Sequence, residues 1–200
     1  MDRIDAFNRA LFLQINADTN TPVWMIQLGI GTAKYLLYLI PVILFMIWIK
    51  GNHAQRNLAL RAVFVMALSL GINQVIGAIW MHPRPFMINL GHTWMYHKAN
   101  FSFPSNHMVI FASIGLTFLF CRARILGLII LIMSIAVAWA RIFVGVHFPL
   151  DMVGAVLVVI MSYVSISVFW LGIGEKLTLL AESIYRKVFA LPIKAGWFRH

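Results

Sequence analysis

The stretch ARIFVGVHFPLD, Ala140 to Asp151, joins two long apolar runs at 125–143 and 150–172. Each run has about the 20 residues that an α-helix needs to cross a hydrocarbon core of roughly 30 Å. Three further runs of this kind lie at 23–49, 58–81 and 106–121. The sequence therefore predicts an all-α, polytopic transmembrane helical bundle.

The composition indicates the same class. Of the 200 residues, 62% are hydrophobic and 11% are charged, with a mean hydropathy of +0.86, whereas soluble domains have about 25% charged residues. The single Cys121 excludes an internal disulfide. Because the first 20 residues carry several charged side chains, we expect no removable signal peptide.

The first apolar run is longer than a span requires and is interrupted by GIGTAK, Gly29 to Lys34. This interruption leaves open whether the segment is tilted, broken or preceded by a separate interfacial helix. We expect about five to six spans in total. Since no polar linker divides the chain, we expect one membrane-embedded domain over 1–200.

Basic residues indicate the orientation of the bundle. They gather in alternate joints and in the C-terminal tail, at Lys50, Arg56, Arg122, Arg124, Lys176, Arg186, Lys187, Lys194 and Arg199. By the positive-inside rule these segments are cytoplasmic. The joints 82–105 and 144–149 then lie on the outer side, as does the N-terminus if there are five spans.

The tail, 173–200, carries an apolar stripe at helical spacing, formed by Leu177, Leu180, Ile184 and Val188. Arg186 and Lys187 lie off this stripe, so the tail is predicted to form a basic amphipathic helix on the cytoplasmic leaflet. The net charge of +10 is then explained by membrane topology and contact with membrane lipids. We therefore expect no nucleic-acid partner.

Polar residues suited to chemistry gather on the outer side. The segments HPRPF (His82–Phe86), FPSNH (Phe103–His107) and Ala140–Asp151 all lie at the outer ends of predicted spans. Ionisable residues at such depth are costly and are functional candidates by default. We expect one pocket to contain Arg84, Ser105, His107, Arg141, His147 and Asp151.

The expected ligand of this pocket is a phosphoryl group. Pro104 cannot continue a helix backward, and Ser105 is a favoured N-cap, so unpaired backbone N–H groups should point out of the helix end. Such an end binds anions. Arg84, which lies between two prolines, and Arg141 offer guanidinium groups that match phosphate oxygens.

His147 and Asp151 supply the reactive groups. A carboxylate beside one imidazole nitrogen fixes the tautomer and leaves the other nitrogen free to attack phosphorus. His107, two residues into the phosphate-binding helix, is placed to protonate the leaving oxygen. Water would then hydrolyse the phosphohistidine.

These residues resemble the three signature motifs of the type 2 phosphatidic acid phosphatase (PAP2) superfamily. The motifs are Arg84-Pro85, Pro104-Ser105-Asn106-His107, and Arg141 through His147 to Asp151, and the resemblance covers roughly 58–172. Within that superfamily, the short chain, HPRPF and the closing FALPIKAGW are similar to bacterial undecaprenyl-diphosphatases of the bacitracin-resistance type.

The resemblance implies a metal-independent phosphatase of the bacterial inner membrane, with its active site facing the periplasm. Its substrate would be a lipid diphosphate, undecaprenyl diphosphate, and it would need no cofactor. It further implies that Arg84, Ser105, Asn106 and Arg141 hold phosphate, that His147 is the nucleophile, that His107 is the acid and that Asp151 orients His147.

Two positions depart from the superfamily pattern. A lysine is usual seven residues before the Arg-Pro pair, where this chain has Gly77. Lys34 or Lys98 could substitute in space, although a snorkelling and a solvated lysine are the simpler interpretations. Asn106 stands where Gly or Asp is common, and it keeps a polar residue at the helix start.

Other interpretations weigh less. A lipid transporter would also need phosphate-binding arginines, but not an oriented pair such as His147 and Asp151, and no inverted repeat is visible. A serine protease at Ser105 would lack its Gly-x-Ser-x-Gly motif. No zinc-ligand spacing occurs, so no metal is expected. His82, His92 and His97 fall in the polar outer loop and receive no role.

The sequence leaves three questions open. Phosphatidylglycerol phosphate, lipid A phosphate and diacylglycerol diphosphate would present similar head groups. Phosphotransfer to another lipid could replace hydrolysis. Nothing in the sequence indicates the oligomeric state.

Overall fold

The structure, a computed structural model, describes residues 3–121 and 123–199. In these residues it contains only helices and connecting segments: α1 (Arg3–Ile15), α2 (Val23–Tyr35), α3 (Leu39–Lys50), α4 (His53–Ile79), α5 (Asn106–Phe120), α6 (Arg124–Phe143), α7 (Pro149–Val188) and α8 (Ala190–Lys194). Short 3₁₀ turns lie at Leu36–Tyr38 and Pro85–Ile88. The predicted all-α fold is confirmed.

A bundle of α4, α5, α6 and α7 forms the core, with α5 packed against the other three. Four described segments are long and apolar enough to cross a membrane, namely Val23–Lys50, α4, α6 and α7, while α5 is a shorter apolar helix of 15 residues. Since α5 is surrounded by its neighbours, Phe111, Ile114 and Phe118 are fully buried in it. The predicted multi-pass membrane bundle is confirmed.

The structure of the N-terminal region shows whether the first apolar run is tilted, broken or preceded by a separate helix. The first span is broken by the 3₁₀ turn Leu36–Tyr38 and is preceded by a separate helix, α1. Asn16 Nδ2 donates to the Phe143 carbonyl at 3.0 Å, and Asn8 Oδ1 accepts from the Leu150 backbone N–H at 3.0 Å. These bonds attach α1 to the end of the bundle at which α6 ends and α7 begins.

The tail begins as a helix that continues the last span, because α7 runs without a break past Gly172 to Val188. The polar face of this extension packs on the first turns of α4. Asn57 Nδ2 donates to Thr178 Oγ1 at 2.9 Å, and Arg56 Nη1 lies 3.4 Å from Glu182 Oε1. These contacts hold the extension to the bundle while Leu180, Ile184 and Val188 of its apolar stripe face outward. Arg122, one of the basic residues used for orientation, lies outside the described residues.

Candidate active site

Arg141 and His147 are positioned by a tight turn at the end of α6. The Val146 N–H donates to the Arg141 carbonyl and the Gly145 N–H to the Ile142 carbonyl, which is the Schellman pattern of helix termination. Gly145 has a φ of +83°, and a Cβ at this position would overlap the His92 carbonyl oxygen. A glycine is therefore required between the arginine and the histidine.

His147 lies between a carboxylate and a guanidinium. Its Nδ1 is 3.0 Å from Asp151 Oδ2, and its Nε2 is 3.0 Å from Arg84 Nη1. Since an arginine only donates, these partners assign the proton to Nδ1 and the lone pair to Nε2. Burial, followed by the charges of Arg84 and Arg141, holds the pKa of His147 well below its usual range, so the neutral imidazole is favoured.

Asp151 lies in the first turn of α7, after Pro149 at the first helical position. Its Oδ2 accepts from the Phe148 backbone N–H at 2.8 Å, as a carboxylate at N3 commonly does at a helix N-terminus. Ser102 Oγ donates to the same oxygen at 2.5 Å. Three donors therefore converge on Oδ2, and the carboxylate is held facing His147.

The start of α5 provides a set of unpaired donors. Ser105 is the N-cap residue as predicted, but its side chain makes no capping bond, and its buried Oγ has no protein partner among the described residues. Its own N–H donates to the Asp151 carbonyl at 3.1 Å, which ties α5 to α7. His107, the second residue of α5, lies near Arg141, His147 and His97.

Asn106 is fixed by its neighbour in α4. Asn73 Nδ2 lies 2.9 Å from Asn106 Oδ1 and 3.0 Å from the Pro104 carbonyl. The side-chain oxygen of Asn106 is therefore already occupied. Its Nδ2 amide and the backbone N–H at the start of α5 are the donors left for the predicted contact with phosphate.

The two arginines differ in how their donors are used. Arg84 donates from Nε to Asn100 Oδ1 at 3.0 Å, from Nη1 to the Val146 carbonyl at 2.7 Å and from Nη2 to the Phe101 carbonyl at 2.9 Å. With the bond to His147, four of its five N–H groups are occupied. Burial lowers the pKa of Arg84 to about 10, which leaves it cationic at neutral pH.

Arg141 has free donors. It is 2% exposed, and its Nε and Nη2 have no hydrogen-bond partner among the described residues. Since a buried unpaired charge is costly, these atoms indicate an anionic ligand. Arg141, the Ser105 hydroxyl and the start of α5 form the part of the site that is free to bind phosphate.

Three residues at the site were not predicted from the sequence. Ser102 bonds Asp151, and Asn73 bonds Asn106. The ring of His97, which was assigned no role, lies 6.3 Å from that of His147. Asn73 could have been found as a polar residue inside a span, whereas Ser102 and His97 lie in an irregular loop without a local signal. Burial, together with Arg84 and Arg141, lowers the pKa of His97 to about 4.

The place of the usual lysine is filled by an aromatic ring. Gly77 lies in α4 against Phe101, and a Cβ at position 77 would come within 2.5 Å of Cδ1 and Cδ2 of that ring. Lys34 and Lys98 are both exposed.

In the described chain, no cluster of three His, Cys, Asp or Glu side chains could hold a metal ion.

The chain is similar to several known proteins. The PAP2 superfamily model matches residues 58–174. YbjG of Escherichia coli, provisionally named an undecaprenyl-diphosphatase, is 36% identical over 98% of this chain and 99% of its own. Undecaprenyl-diphosphatase BcrC of Bacillus subtilis is 35% identical over 64% of this chain and 65% of its own. The bacitracin transport permease protein BcrC of Bacillus licheniformis is 30% identical over 78% and 76%.

Two crystal structures share the fold. LpxE of Aquifex aeolicus has a TM-score of 0.63 at 18% identity and covers 80% of this chain and 94% of its own. A PAP2-type phosphatidylglycerolphosphate phosphatase of Bacillus subtilis has a TM-score of 0.62 at 19% identity and covers 84% and 87%. With the family match over more than half of the chain and the YbjG match over nearly all of it, the chain belongs to the PAP2 superfamily.

Proposed function

We propose that this membrane phosphatase hydrolyses undecaprenyl diphosphate to undecaprenyl phosphate and inorganic phosphate through a phosphohistidine at His147. The relatives named as undecaprenyl-diphosphatases support this substrate. The geometric observation that supports the chemistry most directly is the placement of His147. Its Nδ1 lies 3.0 Å from a buried carboxylate, and Arg141 offers free donors in the same site.

The first step transfers the terminal phosphoryl group. The diphosphate displaces Arg84 from His147, since Arg84 Nη1 now occupies the lone pair of Nε2. Nε2 then attacks the terminal phosphorus, and the bond between that phosphorus and the bridging oxygen breaks. His107, at the start of α5, gives a proton to the leaving undecaprenyl phosphate.

The second step returns the enzyme to its starting state. Water attacks the phosphohistidine, the bond between nitrogen and phosphorus breaks, and His107 takes the proton from water. Throughout both steps, Asp151 holds the Nδ1 proton and stabilises the positive charge that develops on the ring. Arg141 and the start of α5 hold the phosphoryl oxygens.

Phosphate release across a panel of lipids tests the substrate. We expect purified protein to hydrolyse undecaprenyl diphosphate faster than phosphatidylglycerol phosphate or a lipid A phosphate. A preference for either of those monophosphate esters would replace the proposed substrate and keep the chemistry.

The name of the Bacillus licheniformis relative favours transport as a second candidate. Lipid movement in vesicles without any phosphate release would support that function instead.

We also propose that the chain lies in the bacterial inner membrane with the site facing the periplasm, where the product would re-enter the cell-wall carrier pool. In this arrangement, residues 1–200 form one membrane-embedded domain, and residues 58–172 form its phosphatase core. Ala99 is exposed in the loop that carries Arg84 and is therefore a suitable position for a labelling test.

The labelling test uses a Cys121→Ser background. We expect Ala99→Cys to react with an impermeant thiol reagent on intact spheroplasts, and the matched control Lys187→Cys, on the exposed side of α7, to react only after lysis. The reverse pattern would place the site at the cytoplasmic leaflet.

A further inference from the structure

A cavity of about 460 Å³ lies beside the carboxylate of Asp151. Its wall is formed by α1, the segment 80–83, Phe103 and the first turn of α7, which contributes Leu150 and Asp151. Arg84, Arg141, His107 and His147 are not part of this wall. The cavity is therefore distinct from the phosphate site and touches it only through Asp151.

Two buried polar atoms belong to residues of this wall and have no partner among the described residues. They are Asp151 Oδ1 and His82 Nδ1. Asp151 is 1% exposed, and all hydrogen bonds of its carboxylate are made by Oδ2. A buried carboxylate oxygen requires a donor, and no side chain of the described protein supplies one to Oδ1.

His82 is held beside this carboxylate. Its carbonyl accepts from the Ser102 N–H at 2.8 Å, and Ser102 itself donates to Asp151 through its hydroxyl. The His82 ring packs edge-on against Phe148 and Trp80, with centroids 5.7 and 5.2 Å apart. The backbone and the ring of His82 are thus both fixed at the edge of the cavity.

We propose that this cavity is a water-binding site in which a water molecule bridges His82 Nδ1 and Asp151 Oδ1. The water accepts from the His82 N–H and donates to the carboxylate. The cavity is large enough for water, which needs two or more polar partners in a buried site. The rest of the wall combines apolar side chains with Asn8 and the ion pair of Asp5 with Arg9.

His82 is then a positioning residue that acts through Asp151 on His147. Its water supplies the donor that Oδ1 lacks, which keeps the carboxylate ionised and aimed at His147 Nδ1. This role rests on the proposed function, because it matters for turnover only if His147 is the nucleophile. The residue was assigned no role from sequence, since nothing in HPRPF indicates what the ring of its histidine faces.

Three substitutions at one position test the role. Asn places an amide where Nδ1 lies, Gln places one where Nε2 lies, and Phe keeps the ring without polar atoms. With undecaprenyl diphosphate as substrate, we expect His82→Phe to lower kcat by about 10- to 100-fold, the loss typical of a hydrogen bond to a charged group, with KM changed less than about threefold. His82→Asn should restore most of kcat, and His82→Gln should not.

A fourth variant tests the cavity itself. Leu150→Phe should place a ring beside Asp151, displace the bridging water and lower kcat to a similar degree, and the double variant with His82→Phe should lose little more. Equal activity of His82→Asn and His82→Phe, or losses that multiply in the double variant, would overturn the proposal.

A readout independent of turnover separates this proposal from the proposed function. A high-resolution crystal structure of the wild type should show ordered water within hydrogen-bond distance of both atoms, and Leu150→Phe should lack it. A dry cavity in the wild type would refute the water site even if the enzyme is active. Bound water in a protein that releases no phosphate would leave the site in place and refute the hydrolase.

Discussion

The Phe101 ring occupies the space beside Gly77 into which any larger side chain at position 77 would extend. The same residue accepts a hydrogen bond from Arg84 through its carbonyl. The packing of α4 against the outer loop and the placement of Arg84 are therefore linked. A lysine at this position is excluded by packing, so the proposed phosphate site lacks that cation.

We expect Gly77→Ala to destabilise the protein by about 1–3 kcal/mol, the usual cost of overpacking, and Gly77→Lys by more. Gly71→Ala is the matched control, because it lies in the same helix with open space around its Cβ position. Thermal unfolding in detergent measures both effects. The double variant Gly77→Lys with Phe101→Ala should recover part of the loss, and a double variant no more stable than Gly77→Lys would contradict this packing.

Gly145 sets the distance between Arg141 and His147. We expect Gly145→Ala to lower the thermal midpoint and reduce kcat at least tenfold, since both the positive φ and the overlap with the His92 carbonyl oppose a side chain. The strain of a non-glycine residue at positive φ alone is about 1–2 kcal/mol. Gly196 has a φ of +75° and open space around its Cβ position. Gly196→Ala therefore measures the cost of the positive φ without the cost of a steric overlap. Equal effects of the two substitutions would show that the His92 contact is unimportant.

The two arginines should respond in opposite ways to removal of charge. Arg141→Leu should leave the thermal midpoint unchanged or raise it in phosphate-free buffer, because it removes a buried charge without a partner. Arg84→Leu should lower it, because four hydrogen bonds are lost. Orthovanadate at about 100 times its Kd should stabilise the wild type by about 2.7 kcal/mol and should not stabilise Arg141→Leu. Vanadate protection of that variant would contradict the assignment of its free donors.

Acidification should weaken the fold through His97. Its pKa falls from the ordinary 6.5 to about 4 in the folded state, so the unfolded chain binds more protons between these values and the free energy of unfolding decreases as pH falls through this window. We expect the thermal midpoint to drop between pH 7 and pH 4.5, and to drop less in His97→Asn. Parallel pH profiles of the two proteins would remove His97 as a cause.

Much of this structure can be predicted from sequence because its rules are local. Apolar runs give the spans, and Arg141, His147 and Asp151 lie within 11 residues of one another, so helix termination and the first turn of α7 bring them together. The end of α7 could not be predicted, since Thr178 and Glu182 find partners on α4 more than 120 residues earlier. The donors of Arg84 are likewise taken by loop carbonyls that no spacing rule reveals.

The central claim is that His147 forms the covalent intermediate. Purified protein is mixed with undecaprenyl diphosphate labelled with ³²P in the terminal phosphate and quenched in alkali or in acid within milliseconds. We expect label on the protein that survives alkali and is lost in acid, as the bond between phosphorus and an imidazole nitrogen requires, and that maps to His147. His147→Ala should carry no label and release no phosphate, while His107→Ala should turn over about 10²- to 10⁴-fold more slowly, as expected for loss of a general acid. Phosphate release by a folded His147→Ala variant, or label on a different residue, would contradict the account.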